Sequence, residues 1–175
     1  MSKAILIRKA EPEDSLKLSV FLSHVFIQTY DTEGVTQESS IFIKREFSSE
    51  NIERKIKANP DSFLIAEKDE NLRGVAEIDF NTKCPANNIP AAELCKLYVM
   101  EKFTGTGIGY SLISESESIV SSKNINHIWL SVYELNSRAI LFYERQGYKY
   151  IGDILFQMEF NSYINKVLYK EINKK

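Results

Sequence analysis

The stretch that most limits how this chain folds runs from Glu93 to Val120, ELCKLYVMEKFTGTGIGYSLISESESIV. It opens as an apolar strand and crosses glycines at alternate positions, Gly105, Gly107 and Gly109. It closes as an amphipathic helix, with Ile108, Leu112, Ile113, Ile119 and Val120 recurring at helical spacing. Glycines at a strand-to-helix turn let the backbone come close to a ligand. They also aim free N–H groups and the positive end of the helix dipole at an anion. The first expectation is therefore a site for a phosphate-bearing ligand.

The spacing narrows the choice of phosphate. A Walker-type loop needs Gly-x4-Gly-Lys-Ser/Thr, and no Lys follows these glycines. A dinucleotide fingerprint needs Gly-x-Gly-x-x-Gly, but Tyr110 stands where the third Gly is required, and no acidic residue follows about 20 positions on at a strand end. Thr104-Gly105-Thr106-Gly107-Ile108-Gly109 instead resembles the acyl-CoA pyrophosphate loop, Gln/Arg-x-x-Gly-x-Gly/Ala, of the GNAT acetyltransferases. It departs from that pattern in carrying Thr104 where the family usually has Gln or Arg.

A second constellation carries the same resemblance. Val132, Asn136, Ala139, Phe142-Tyr143, Gly147-Tyr148 and Gly152 match the strand–helix–strand signature of that family almost position for position. Each position has a local reason. Asn136 or Ser137 caps a helix and Gly147 suits its C′ position. Ala139 is small, and Tyr143, four residues on, shares its helical face. The strand Lys149–Glu159 and the ending Lys166–Glu171 are more loosely similar to the bacterial spermidine/spermine acetyltransferase branch.

The resemblance spans Ile5 to Ile172 and implies a fold and a site. The implied fold is a single N-acetyltransferase domain over residues 1–175: an α/β acyl-CoA N-acyltransferase fold with a mixed, mostly antiparallel sheet of about seven strands and helices on both faces. The implied co-substrate is acetyl-CoA, with no metal. Leu97, Tyr98 and Val99 would meet its acetyl and pantetheine parts through the backbone, on a strand that splays from its neighbour. Thr104, Gly105, Thr106, Gly107, Ile108, Gly109 and Tyr110 would hold its pyrophosphate, and Asn136, Ala139 and Tyr143 would line its thioester end. Glu93 sits where several members carry a general base.

Composition is compatible with this. The 175 residues suit one domain with a full core, and Lys+Arg 22 against Asp+Glu 24 gives a net charge of −2, which argues against a general nucleic-acid binder. Cys84 and Cys95 have no metal spacing and make no disulfide framework, which points to a reducing cytosol. MSKAILIRKAEPEDS is too short an apolar run for a signal peptide, and no run reaches the roughly 18 apolar residues of a membrane span. A homodimer is compatible with all of this.

In chain order, Ala4–Lys9 reads as a strand. Glu11-Pro12-Glu13-Asp14 starts a helix that continues through Leu16, Val20, Leu22, Val25 and Phe26 to about Tyr30. Residues 31–59 read as two helices broken near Ser48–Asn51; the resemblance makes this region one wall of the acceptor site. Ser62–Glu67 and Gly74–Phe80 form an antiparallel hairpin, with Glu77 and Asp79 on one side and Ala76, Ile78 and Phe80 on the other. A polar loop, Asn81–Pro90, precedes the central strand, in which Glu93, Cys95, Leu97 and Val99 alternate with Leu94, Lys96 and Tyr98. A helix runs to about Lys123, and strands cover His127–Tyr133, Lys149–Glu159 and Tyr163–Ile172. His24 and His127 read as packing or surface residues rather than catalysts.

The chemistry this expects is amine acetylation. An amine acceptor with a pKa of about 10 must lose a proton before it attacks the acetyl carbonyl. Glu93 is the first-choice base, with Glu77 or Asp79 in reserve. A backbone N–H at Leu97 or Val99 would hold the oxyanion, and Tyr143 would protonate the departing thiolate. A small polyamine is the leading acceptor. A protein N-terminal or lysine acetyltransferase is the alternative within the enzymes; a non-catalytic acyl-CoA sensor and a nucleotide-binding regulator are alternatives outside them.

Overall fold

A computed structural model describes residues 4–172. Its strands are β1 Leu6–Lys9, β2 Phe63–Lys68, β3 Asn71–Lys83, β4 Pro90–Val99, β5 His127–Tyr133, β6 Lys149–Gln157 and β7 Ser162–Glu171. Its helices are α1 Ser15–Tyr30, α2 Gln37–Glu46, α3 Ser49–Ala58, α4 Ile108–Ser122 and α5 Ser137–Arg145. The strands join in one sheet of order β1-β2-β3-β4-β5-β7-β6. Neighbours pair antiparallel at β1–β2, β2–β3, β5–β7 and β6–β7, and in parallel at β4–β5. This is the mixed, mostly antiparallel seven-stranded α/β sheet expected. The outermost residues of the 1–175 domain assignment, 1–3 and 173–175, lie outside the described residues. Among the described residues no helix is long and apolar enough to cross a membrane.

The chain divides into two compact units, one running up to Glu77 and including Lys96–Ile113, the other comprising Ile78–Cys95 and the chain from Ser114 onward. In the first unit β1 pairs with β2 and β2 with β3, the latter around Asp69 and Glu70, both at positive φ as a two-residue hairpin turn requires. Pro12–Asp14 makes a short 3-10 turn into α1, where the Asp14 carboxylate receives both the Glu11 N–H and the Arg8 guanidinium at 2.7 Å. Leu18, Phe21, Leu22, Val25 and Phe26 are the buried face of α1, whereas Leu16 and Val20 are exposed. The helix ends at Tyr30, as read. Thr36 and Ser48 cap α2 and α3 by accepting from the backbone N–H of Ser39 and Asn51. The break between these helices falls at Phe47-Ser48, at the start of the expected polar cluster.

In the second unit the expected loop Asn81–Pro90 is shorter than read. The strand β3 continues to Lys83, and Cys84 N–H to Ile89 O at 2.9 Å closes a tight connection. Thr82 explains the extension, because its hydroxyl donates to Ala91 O at 2.6 Å and accepts from the Trp129 indole at 3.0 Å. Cys84, Ala91, Trp129 and Val167 form a buried cluster there, with Ile151, Ile154 and Tyr169 packed against it. His127, at the start of β5, stacks on Tyr169 and shares a 2.6 Å hydrogen bond with its hydroxyl, so it is a satisfied packing residue. His24 is exposed.

Candidate active site

The candidate residues fall into two groups. In the first unit β4 delivers Leu97, Tyr98 and Val99, all half-buried, and then turns through Glu101–Phe103 into the glycine loop. Gly105 and Gly107 take φ of +76° and +90°, where a side chain is strained. A Cβ built at either would meet nothing within 4 Å, so the space over the loop is open to a ligand. Thr104, Thr106 and Tyr110 are exposed. The first helical bond of α4 is Ser111 N–H to Gly107 O at 3.0 Å, leaving the N–H groups of the preceding turn outside the helix ladder. Ile108 is buried and Gly109 half-buried in the first turn of α4. An exposed run of loop amides at a helix N-terminus fits a phosphate group. The Thr104 hydroxyl turns back to Glu101 O at 2.9 Å, and that of Thr106 to Phe103 O at 2.6 Å, so both stiffen the loop.

A residue the sequence reading passed over sets this loop against the sheet. Gly74 of β3 faces α4 so closely that a Cβ there would lie 2.8 Å from Ile108 Cγ2 and 2.9 Å from Leu112 Cδ1. Glycine inside a strand run is the sequence signal for such an approach.

The same unit places Glu77. Alternation put it on one side with Asp79, as a reserve base, but Glu77 is buried between two ammonium groups, Lys55 Nζ and Lys96 Nζ, each 2.6 Å from one carboxylate oxygen. Burial alone would raise its pKa; Lys96 and Lys55 outweigh that and hold it below the ordinary carboxylate value. A carboxylate held ionised by two cations is a weak proton acceptor. Asp79 is exposed in the second unit, its carboxylate accepting from Asn81 N–H at 2.9 Å.

The second group lies in the second unit. Glu93 is half-buried on β4 and sits in register with Trp129 of β5. The parallel ladder between these strands comprises Ala92–Ile128 and Glu93–Trp129, whereas β5 pairs with β7 over its whole length. Asn136 caps α5 by accepting from Ala139 N–H at 3.2 Å, as its position anticipates. Tyr143 is buried on the same helix, its ring 5.3 Å from Phe142 and 5.9 Å from Tyr148. Tyr148 is buried in turn. Desolvation, with Glu117 and Tyr143 beside it, keeps its hydroxyl protonated well above pH 10. Lys170 is bidentate to Glu117 at 2.8 Å and lies over the Tyr148 ring.

Residues 27–148 match the Acetyltransferase (GNAT) family model. The chain belongs to the GNAT family of acetyltransferases. It is an N-acetyltransferase, and among the proteins similar to it is the spermidine N(1)-acetyltransferase of Thermoplasma acidophilum, 33% identical over 83% of this chain and 89% of that one. The crystal structure of the PaiA N-acetyltransferase from the same organism, in complex with coenzyme A, superposes with a TM-score of 0.75 over 97% of this chain and 99% of that one, at 27% identity. A putative acetyltransferase from Salmonella typhimurium, solved with acetyl-CoA, gives a TM-score of 0.76 over 99% of this chain and 96% of that one at 14% identity, a likeness that bears on the fold alone.

Proposed function

We propose that this GNAT enzyme transfers the acetyl group of acetyl-CoA to a primary amine of a small polyamine, such as spermidine or spermine, by direct attack in a ternary complex. The observation that carries the coenzyme half is the open glycine loop at the N-terminus of α4, whose outward amides suit a pyrophosphate. The polyamine half rests on the similarity to a spermidine acetyltransferase along most of both chains. In this reading residues 1–175 act as one cytoplasmic N-acetyltransferase domain.

Each step has a residue. The amides of Gly105 to Tyr110, with Thr104 at the entry, hold the pyrophosphate. Backbone groups of Leu97, Tyr98 and Val99 meet the pantetheine and acetyl groups. Asn136 and Ala139 line the thioester end. Glu93 takes the proton from the ammonium acceptor, directly or through a water, so that the free amine attacks the acetyl carbon. A backbone N–H at Leu97 or Val99 stabilises the tetrahedral oxyanion. Collapse breaks the carbon–sulfur bond, and Tyr143 gives its proton to the departing thiolate, whose pKa of about 8.5 makes protonation useful at neutral pH. The second proton, shed by the newly acylated nitrogen, restores the Tyr143 hydroxyl through solvent.

The test is the rate of thiol release from acetyl-CoA with spermidine, spermine, putrescine, aminoglycosides and lysine-containing peptides. Preferred turnover on a polyamine supports the reading, and preferred turnover on peptides replaces the acceptor with a protein amine. Coenzyme binding without turnover on any amine favours a silent acyl-CoA sensor.

A further inference from the structure

We propose that Arg73 is a phosphate-binding residue for the coenzyme, supplying the positive charge that the glycine loop lacks. The proposal rests on the acetyl-CoA reading above. Arg73 and Gly74, adjacent on β3, contact residues that flank the loop in sequence, Phe103 and Ile108. The Arg73 guanidinium carbon lies 4.3 Å from the centroid of the Phe103 ring, just before the loop, and Gly74 packs under Ile108, just after it. The backbone ties the same point down, because Met100 N–H donates to Arg73 O at 3.0 Å where β4 ends.

The side chain itself is unsatisfied. Its Nε is buried with no hydrogen-bond partner, and Arg73 makes no ion pair among the described residues. Burying a charged donor unpaired is costly, and such groups in native proteins call for a partner. Elsewhere in this unit Arg8 spends its guanidinium on Asp14 and Glu67. The Arg73 guanidinium instead lies over the Phe103 ring, a cation–π contact that leaves its donors uncommitted to any carboxylate. A planar fork with spare donors matches the oxygens of a phosphate group in bidentate fashion. Thr104 brings no charge to the loop, and its hydroxyl is turned back to Glu101. In this proposal an anion at the loop takes its guanidinium partner from Arg73 rather than from the loop sequence.

Isothermal titration of the full chain tests this, with coenzyme A, dephospho-coenzyme A and pantetheine as ligands for wild type, Arg73→Gln, Arg73→Lys and the double variant Arg73→Gln/Thr104→Arg. The expected result is coenzyme A binding weakened at least ~10-fold in Arg73→Gln, as for loss of one charge-assisted contact. Pantetheine affinity stays unchanged, the salt dependence of coenzyme binding flattens, and affinity partly returns in Arg73→Lys and in the double variant. If the Arg73→Gln loss disappears with dephospho-coenzyme A, the partner is the 3′-phosphate; if it persists, the partner is the pyrophosphate. Wild-type affinity in Arg73→Gln overturns the proposal, as does an equal loss of coenzyme A and pantetheine, which marks Arg73 as a prop for Phe103. A wild-type chain that binds neither ligand overturns the acetyl-CoA reading itself, a result distinguishable from either of these.

Discussion

The backbone N–H of Tyr148 donates to the carbonyl of Tyr143 at 3.1 Å, and the two rings stand 5.9 Å apart. With Gly147 N–H on Glu144 O at 2.9 Å, this is a complete Schellman ending to α5, with its apolar contact between the third residue from the end and the second beyond it. The residue proposed to protonate the thiolate is thus fixed by the stop signal of its own helix. The sequence element that ends α5 also positions Tyr143.

Gly147 occupies the left-handed C′ position, at φ +88°. A Cβ there would sit 3.7 Å from Lys170 Cε, an ordinary contact, so the cost of Gly147→Ala is conformational. Urea unfolding should show a loss of about 1–2 kcal/mol. Gly147→Asn should cost less, because Asn tolerates this region. An Ala variant as stable as wild type would mean that the helix end relaxes freely.

Gly74→Ala should be worse, and for a different reason. The new methyl would overlap Ile108 Cγ2 and Leu112 Cδ1, at 2.8 and 2.9 Å, and press on Tyr98 O at 3.3 Å. Overpacking of this kind costs about 1–3 kcal/mol. Because it pushes on the first turn of α4, coenzyme A affinity should fall together with the denaturation midpoint. A stability loss with unchanged affinity would separate the helix position from the phosphate site.

Glu77 makes stability depend on pH. Its folded pKa lies below the unfolded value of about 4.5, so its contribution is fully present above that pH and is lost as the pH falls through the folded value. Acid titration of the unfolding free energy should show this loss in wild type and much less of it in Glu77→Gln. At neutral pH that variant leaves Lys96 and Lys55 facing each other without their shared carboxylate, and should lose about 3–5 kcal/mol. An unaffected variant would show that the lysines turn out to solvent at no cost.

Much of this was legible in the sequence because it is local. The glycine loop, the Asn136 cap, the Gly147 stop and the five apolar positions Ile108, Leu112, Ile113, Ile119 and Val120, all buried, follow from spacing along a single segment. What was missed depends on distant partners. Alternation along β3 made Glu77 look like Asp79, and only Lys55 and Lys96, 22 residues before and 19 after, distinguish them. Likewise Arg73 and Gly74 look ordinary until Phe103 and Ile108 are packed on them. Leu16 and Val20 lie in α1 as read. That they are exposed while Leu18, Phe21 and Leu22 are buried follows from what packs on the helix rather than from the run of apolar residues.

Tyr143→Phe tests the proposed acid. It keeps the ring and its 5.9 Å contact with Tyr148 and removes only the hydroxyl. Turnover should fall about 100-fold or more, the usual contribution of a positioned proton donor, while coenzyme A affinity holds. Equal turnover would assign thiolate protonation to another group or to water.

The most direct test of the whole account is a mass measurement on the amine. Spermidine is incubated with the protein and acetyl-CoA labelled in the acetyl group, and the polyamine is weighed. The account predicts spermidine carrying one labelled acetyl group, formed in proportion to enzyme and together with free coenzyme A. Unmodified spermidine, from protein shown to bind acetyl-CoA under the same conditions, would contradict it.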